Sequence, residues 1–293
     1  MATLRELKTR IGSVASTEKI TGAMKMISSA KVHQNELALR KLQPFKDKIK
    51  SIMGHILATT FDSPLIQIRD VKRAGMVVFG SDDGLCGAYN INILKGFLIR
   101  LDKLRADYGE DLEVEVYPVG KKMEKAIRRL RDPRLEIIVR DGVDSKMSGE
   151  KVNAFTHYLR DRFSAGELDR IDVVYMKYRS MSRQILTDDT LFPVSEEAIV
   201  GESSDTHDNQ LYIFEPDANS IFNEVLPMFV LSTMQEITIE NRSSEQAARV
   251  MAMQSANDNA KNLLGDLQLE YNKLRQQSIT TELLDILGGQ VER

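Results

Sequence analysis

The chain has no tryptophan, one cysteine and seven prolines among its 293 residues. Each scarcity excludes something. A single thiol, Cys86, cannot form an internal disulfide or a multi-cysteine metal site. Aromatic residues, at 6%, argue against a core built on large rings and suit extended helices better. No apolar run approaches the roughly 18 residues that a membrane span needs. The opening MATLRELKTRIGSV lacks an apolar segment and carries an early acid, so it resembles neither a secretion signal nor a transit peptide. The expectation is a bacterial cytoplasmic protein. With 42% hydrophobic and 28% charged residues, the chain is large and apolar enough for one or two cores.

Helix breakers are scarcest near the end. Between Pro227 and Gly288 the only proline or glycine is Gly265, which predicts one uninterrupted helix. At 1.5 Å per residue it would be roughly 90 Å long. A globule of this chain length has a radius of gyration of about 19 Å. Such a helix has to protrude and find partners for its apolar side chains. Met253, Ala256, Ala260, Leu263, Leu267 and Leu274 follow a 3,4 repeat, with Glu270 off the pattern and Tyr271 beside it. This stripe suits a coiled coil whose alanines allow close approach.

The N-terminal part, up to about Thr59, is also helical in pattern. Leu4, Leu7, Ile11 and Val14 step by three and four, as do Ala38, Leu42, Phe45, Ile49, Ile52 and Ile56. Ile20, Ala23, Ile27 and Ala30 bridge the two runs with a phase slip on either side. Pro44 predicts a kink or a restart. The first fifty residues hold eleven Lys or Arg against four acids, a balance of +7. From Leu211 onward twelve acids face six bases, a balance of −6. Opposite charge favours association of the two ends, although exposed pairs are individually weak.

Between them, about 71–200 changes character. GMVVFG, LEIIV and IDVVYMKY read as strands, and EVEVYPVG alternates with period two. NINILKGFLIRLDKLRAD, KKMEKAIRRLR and GEKVNAFTHYLRDRF read as helices, and SRQILTDDTLFPV adds a possible last strand. Strand–helix alternation predicts a largely parallel sheet. GESSDTHDNQ reads as a linker, with helix resuming near Asp217. The predicted fold is α/β: a long antiparallel two-helix coiled coil formed by 1–60 and 211–293, with a Rossmann-like domain, 71–200, inserted between its helices.

Catalytic signals are weak. SDDGLCG lies between a strand and a helix, where phosphate-binding loops sit. Its glycines, Gly80, Gly84 and Gly87, fit neither nucleotide-loop spacing, Asp82 and Asp83 repel phosphate, and the loop has no lysine. A tight turn packing a helix on the sheet is the better reading. The four histidines, His33, His55, His157 and His207, lie in different elements without a local ligand partner. Cys86 reads as a small packed side chain. The basic N-terminal helix could bind nucleic acid or an acidic protein surface, but it lacks interleaved aromatics. Most of the thirteen methionines read as core fillers, and their flexible thioethers also suit a surface that slides against changing neighbours. Two rival classes stay open at this point: a nucleotide-binding α/β enzyme with a helical arm, and a basic coiled-coil adaptor.

IGSVASTEKITGAMKMISSAK near the start, SDDGLCGAYN and YIFEPD in between, and EQAARVMAMQSANDNAKNLLGDLQLEYNKLRQQSITTELLDILGG at the end resemble the ATP synthase gamma-chain family, in order and across essentially the whole chain. The resemblance implies a non-catalytic central-stalk rotor of an F-type ATP synthase. Its coil turns inside a hexamer of alpha and beta subunits and imposes different states on three catalytic sites, which belong chiefly to beta, so that transmembrane proton flow is coupled to ATP synthesis or hydrolysis. Epsilon and the membrane c-ring are further implied partners. The implied location is peripheral, on the cytoplasmic side of the bacterial inner membrane, with no cofactor, metal, nucleic acid or membrane insertion of its own. Residues that match by motif are Met24 and Lys25, where the basic helix meets an acidic catalytic-subunit loop. Arg249, Asn272, Arg275, Gln276, Thr280 and Glu282 match hexamer contacts, and Tyr212 and Glu215 the foot toward the ring. Asp83 stands where the family often has arginine, LGGQ replaces the usual Gly-Ala near the end, and no cysteine pair supports thiol regulation.

Overall fold

The computed structural model describes residues 3–56, 63–200 and 214–291. Two long helices frame the chain, α1 (Leu4–Ile56) and α6 (Ala218–Val291). Between them lie β1 (Arg73–Phe79), α2 (Tyr89–Tyr108), β2 (Glu113–Val119), α3 (Lys121–Arg128), β3 (Leu135–Ile137), α4 (Gly149–Ser164), β4 (Arg170–Ser180), β5 (Arg183–Phe192) and a short α5 (Glu196–Val200). The five strands form one sheet in the order β3-β2-β1-β4-β5. β3, β2, β1 and β4 run parallel and β5 closes the edge antiparallel to β4.

Helices cover both faces of the sheet. On one face Ile93, Phe97 and Leu101 of α2 and Met123 of α3 pack on Met76, Val78 and Val116. On the other, Phe155 and Phe163 of α4 join Val77, Phe79 and Val173. That second cluster also takes in Ile49, Met53 and Ile56 of α1 and Phe222, Leu226 and Met234 of α6, so the roots of both long helices are built into the domain core. Burial of each such side chain stabilises by about 1.5–3 kcal/mol. The alternation in EVEVYPVG does not mark a half-exposed strand, because six of the seven β2 residues are buried, as in a sheet covered on both faces. Glu115 is held inside by Arg162 and by the Tyr117 hydroxyl, which donates to it at 2.5 Å.

The coil keeps a stricter repeat than the apolar residues suggested. Along α1 an unbroken row of buried and half-buried positions runs through Leu4, Leu7, Ile11, Val14, Glu18, Thr21, Lys25, Ser28, Val32, Asn35, Leu39, Leu42, Lys46, Ile49, Met53 and Ile56. These step by three and four without a slip, the 3.5-residue period of a left-handed coil. The expected phase slip does not occur, because the seam continues through polar side chains. Ile20, Ile27 and Phe45, assigned inward by their hydrophobicity, are 59%, 58% and 53% exposed. On α6 the seam runs Met253, Asn257, Ala260, Leu264, Leu267, Tyr271, Leu274, so Asn257 and Leu264 take the places expected of Ala256 and Leu263.

Neither proline stops a helix. α1 continues through Pro44, which lies with Arg40 on its exposed face. α6 begins nine residues before Pro227 and spans 74 residues, about 110 Å at 1.5 Å each.

Candidate partner-binding surface

The turn after β1 lies where the sheet domain meets the coil. Asn90, in the first turn of α2, closes it: its Oδ1 accepts from the Ser81 amide at 3.1 Å and its Nδ2 donates to Ser81 Oγ at 2.8 Å. The Ser81 hydroxyl donates to the Asp83 carbonyl at 2.7 Å. Asp82 accepts from the Lys121 amide at 3.0 Å and from Ser145 Oγ at 2.8 Å, tying the turn to α3 and to the segment before α4. Asp83 pairs with Lys146 at 2.9 Å, and that bond holds its carboxyl below the usual range. Gly120, at φ +106°, is required because a Cβ there would lie 2.9 Å from the Ser81 backbone. Burial raises the Cys86 thiol, which sits packed 3.8 Å from Ser81 Oγ.

Both acids and the hydroxyl of this turn are thus engaged in holding its shape. Its outward carbonyls face a cation rather than an anion. Arg249 of α6 donates to the Gly84 carbonyl at 3.2 Å and to the Asp83 carbonyl at 3.4 Å, and pairs with Glu245 at 2.7 Å one helical turn back. Both partners are buried, and burial raises the Glu245 carboxyl. The loop chemistry is that of a structural turn, and the nucleotide reading of SDDGLCG has no support in it.

Where turn and coil meet, a cleft of about 310 Å³ opens between α1 and α6. Met24, Ile27 and Lys31 line it from α1, Leu85 from the turn, and Gln246 and Arg249 from α6. Leu85, at φ +63°, is held out into solvent at 59% exposure. Of the motif-matched residues, Met24 and Arg249 therefore come together in one place. Lys25, half-buried, follows Met24 on the seam side. Arg249 differs from its companions because its guanidinium is committed within the chain.

Asn272, Arg275, Gln276, Thr280 and Glu282 form a separate group, all exposed along the far part of α6. Thr280 donates to its own helix at the Gln276 carbonyl, 2.9 Å away, and among the described residues none of the five bonds to α1. The register that sets Asn257 beside Thr21 brings Leu274 level with Leu4, so the α6 stretch 275–291 has no α1 opposite it. Ile279, Leu283, Leu284, Ile286 and Leu287 lie exposed on this single helix. Glu215 is exposed just before α6, and Tyr212 lies outside the described residues. The hydrophobic pattern hid the apolar outer face of α1 and the role of Leu85, because it counts apolar residues without showing which way they point. No described helix is long and apolar enough to cross a membrane.

Comparison with known proteins covers the same span. A family model described as ATP synthase matches residues 3–291. An ATP synthase gamma chain from Bacteroides thetaiotaomicron is 37% identical, with 100% of each chain covered. One from Cupriavidus metallidurans is 34% identical, with 99% of each covered. Among solved structures, a rotor chain of the Euglena gracilis mitochondrial ATP synthase superposes with a TM-score of 0.62 at 20% identity, covering 94% of this chain and 98% of that one. A second chain of the same enzyme, from an OSCP/F1/c-ring structure, gives 0.64 at 22% identity, with 98% and 93% covered. At these identities the structural likeness concerns the fold.

Proposed function

Because the chain belongs to the ATP synthase gamma-chain family, we propose that it is the non-catalytic central shaft of a bacterial F-type ATP synthase. The observation that carries this reading is α6 itself. It is a 74-residue helix whose last stretch outruns its partner and leaves isoleucines and leucines exposed. Such a tip needs an enclosing sleeve, and a ring of alpha and beta subunits supplies one along its whole length. The coil is asymmetric, with the turn, Leu85 and Lys31 on one side only, so it offers a different face to each of three catalytic subunits. Each catalytic site is then biased by the contacts it receives, and rotation exchanges those contacts.

Within this reading the cleft beside Met24 and Lys25 receives an acidic loop of the catalytic subunit, for which Lys25 and Lys31 supply the complementary charge. Asn272, Arg275, Gln276, Thr280 and Glu282 make polar contacts with the bore. Arg249 acts indirectly, by holding the turn against the coil. Glu215 and Tyr212 belong to the foot, facing epsilon and the c-ring, and the shaft sits peripherally at the cytoplasmic side of the inner membrane, driven by proton flow. ATP chemistry stays on the beta subunits.

Co-purification tests the assignment: one copy of this chain should be recovered with a nucleotide-hydrolysing hexamer, and repeated failure to recover it would sink the reading. Within the complex, replacing Arg275 and Gln276 together by alanine should lower ATP-driven proton pumping per ATP hydrolysed while the thermal transition of the sheet domain stays in place. Unchanged coupling with a lost transition would contradict the assigned contacts.

A further inference from the structure

α1 carries two stripes at coiled-coil spacing, two residues out of step. The first, Glu18, Thr21, Lys25 and Ser28, forms the seam against α6. The second, Ile20, Ala23, Ile27 and Ala30, lies exposed. Two residues on an α-helix correspond to a rotation of about 200°, so the second stripe lies on the face opposite the seam. Over residues 18–30 apolar burial favours the opposite arrangement, with the isoleucines inside and the glutamate, lysine and serine outside, whereas Leu7, Ile11, Val14, Val32 and Leu39 on either side favour the observed seam. A polar contact within this stretch holds it in phase with its apolar flanks.

Asn257 has the required contacts. It interrupts the α6 seam between Met253 and Ala260, and only 6% of it is exposed. Its Nδ2 donates to the Glu18 carbonyl at 2.7 Å and to Thr21 Oγ1 at 3.2 Å. Thr21 is poised for this, because its own hydroxyl donates back into α1 toward Thr17 and Glu18 and leaves a lone pair for the amide. Gly22 makes the approach possible, since a Cβ there would stand 3.3 Å from Asn257 Nδ2. If α1 turned to bury Ile20 and Ile27, the amide would face hydrocarbon with no acceptor, and an unpaired buried donor costs more than a typical hydrogen bond contributes. A lone buried asparagine selecting one coil arrangement over a more apolar competitor is a known use of such residues.

We infer that Asn257 is a positioning residue that secures the rotational phase of α1 over its polar middle stretch and so keeps the Ile20–Ala23–Ile27–Ala30 stripe facing outward as a contact surface. What covers the stripe rests on the shaft reading, in which the enclosing alpha and beta subunits do so. The rotational role of Asn257 does not depend on that reading.

The test uses the full chain with Cys86→Ala, which removes the only native thiol. Two single-cysteine probes, Ala30→Cys on the outward stripe and Ser28→Cys on the seam, are labelled with a maleimide. With Asn257 present, Ala30→Cys should react much faster than Ser28→Cys. Adding Asn257→Leu should shift the rate ratio severalfold toward the seam probe, with helicity unchanged by circular dichroism. Asn257→Asp, which keeps the shape but removes the donor, should shift it in the same direction and serves if the leucine variant does not fold. A native ratio in both variants would overturn the inference. A shifted ratio with undiminished binding to the alpha/beta hexamer would instead sink the use of the stripe by the shaft and leave the rotational role standing.

Discussion

Glu240 sits on α6 where that helix meets β4 and α1. Lys177 and Arg179 of β4, Lys46 of α1 and Glu236 of its own helix face it, and Lys46 is already paired with Glu236. Burial, which the nearby cations only partly offset, pushes the carboxyl up to about 7 from an ordinary 4.5. An unfolded chain ionises this group from about pH 4.5 while the folded chain resists until about 7. Its contribution is therefore neutral below 4.5 and increasingly destabilising as pH rises to 7, by about 3 kcal/mol in all at about 1.4 kcal/mol per unit. Urea midpoints taken across this range should fall with rising pH through this group, and Glu240→Gln should flatten that part of the curve and raise the midpoint at pH 8. The Glu245–Arg249 pair behaves differently, because each partner is buried with the other. Glu245→Ala leaves a buried guanidinium without its anion and should cost about 3 kcal/mol in denaturant unfolding. These residues show how little of the site composition could reveal. Arg249 was legible as a matched motif position, but its commitment to Glu245 and to the Gly84 carbonyl depends on a contact between residues far apart in sequence.

At the scale of elements, the local pattern was most reliable where one face of a helix or strand meets one core. β1, α2, α3, α4 and β4 stand where runs such as GMVVFG and KKMEKAIRRLR placed them. It failed in the middle of α1, where Ile20 and Ile27 pulled the expected stripe away from the true seam. In β2 the period-two alternation does not tell inside from outside, and Glu115 is an internal anion held by Arg162. Glycines divide by the same criterion of context. A Cβ added at Gly12 would meet nothing within 4 Å, and the residue lies inside α1, so Gly12→Ala should stabilise the isolated chain by about 0.5–1 kcal/mol. Gly120 has φ +106° and Ser81 backbone at 2.9 Å, so Gly120→Ala should destabilise by more than about 1 kcal/mol and loosen the turn. Paired thermal melts give opposite signs if the turn is built as described, and equal effects would contradict it.

The whole molecule is a sheet domain carrying a shaft. The domain core holds Ile49, Met53 and Ile56 together with Phe222, Leu226 and Met234, which makes the root of the coil its stiffest part. Toward the other end the coil depends on a narrow heptad seam, and past Leu274 only α6 remains among the described residues. Ending the chain at Leu274 should therefore leave the unfolding transition of the domain unchanged while weakening assembly with the hexamer. A lowered domain transition would show that the tip folds back and supports the domain.

The linear order of residues was enough to establish two long helices around an inserted α/β domain, because helix length, scarce breakers and strand–helix alternation are local properties. Packing alone determined which face of each helix turns inward. Seam position depends on the partner helix, and here the apolar flanks of the seam, with the Asn257 amide between them, outweigh the apolar pull of Ile20 and Ile27. Packing likewise produced the cleft at Met24, since its walls come from α1, the turn after β1 and α6. The shortage of helix breakers predicts a long helix, and among the described residues the three-dimensional arrangement leaves its stretch past Leu274 without an α1 partner.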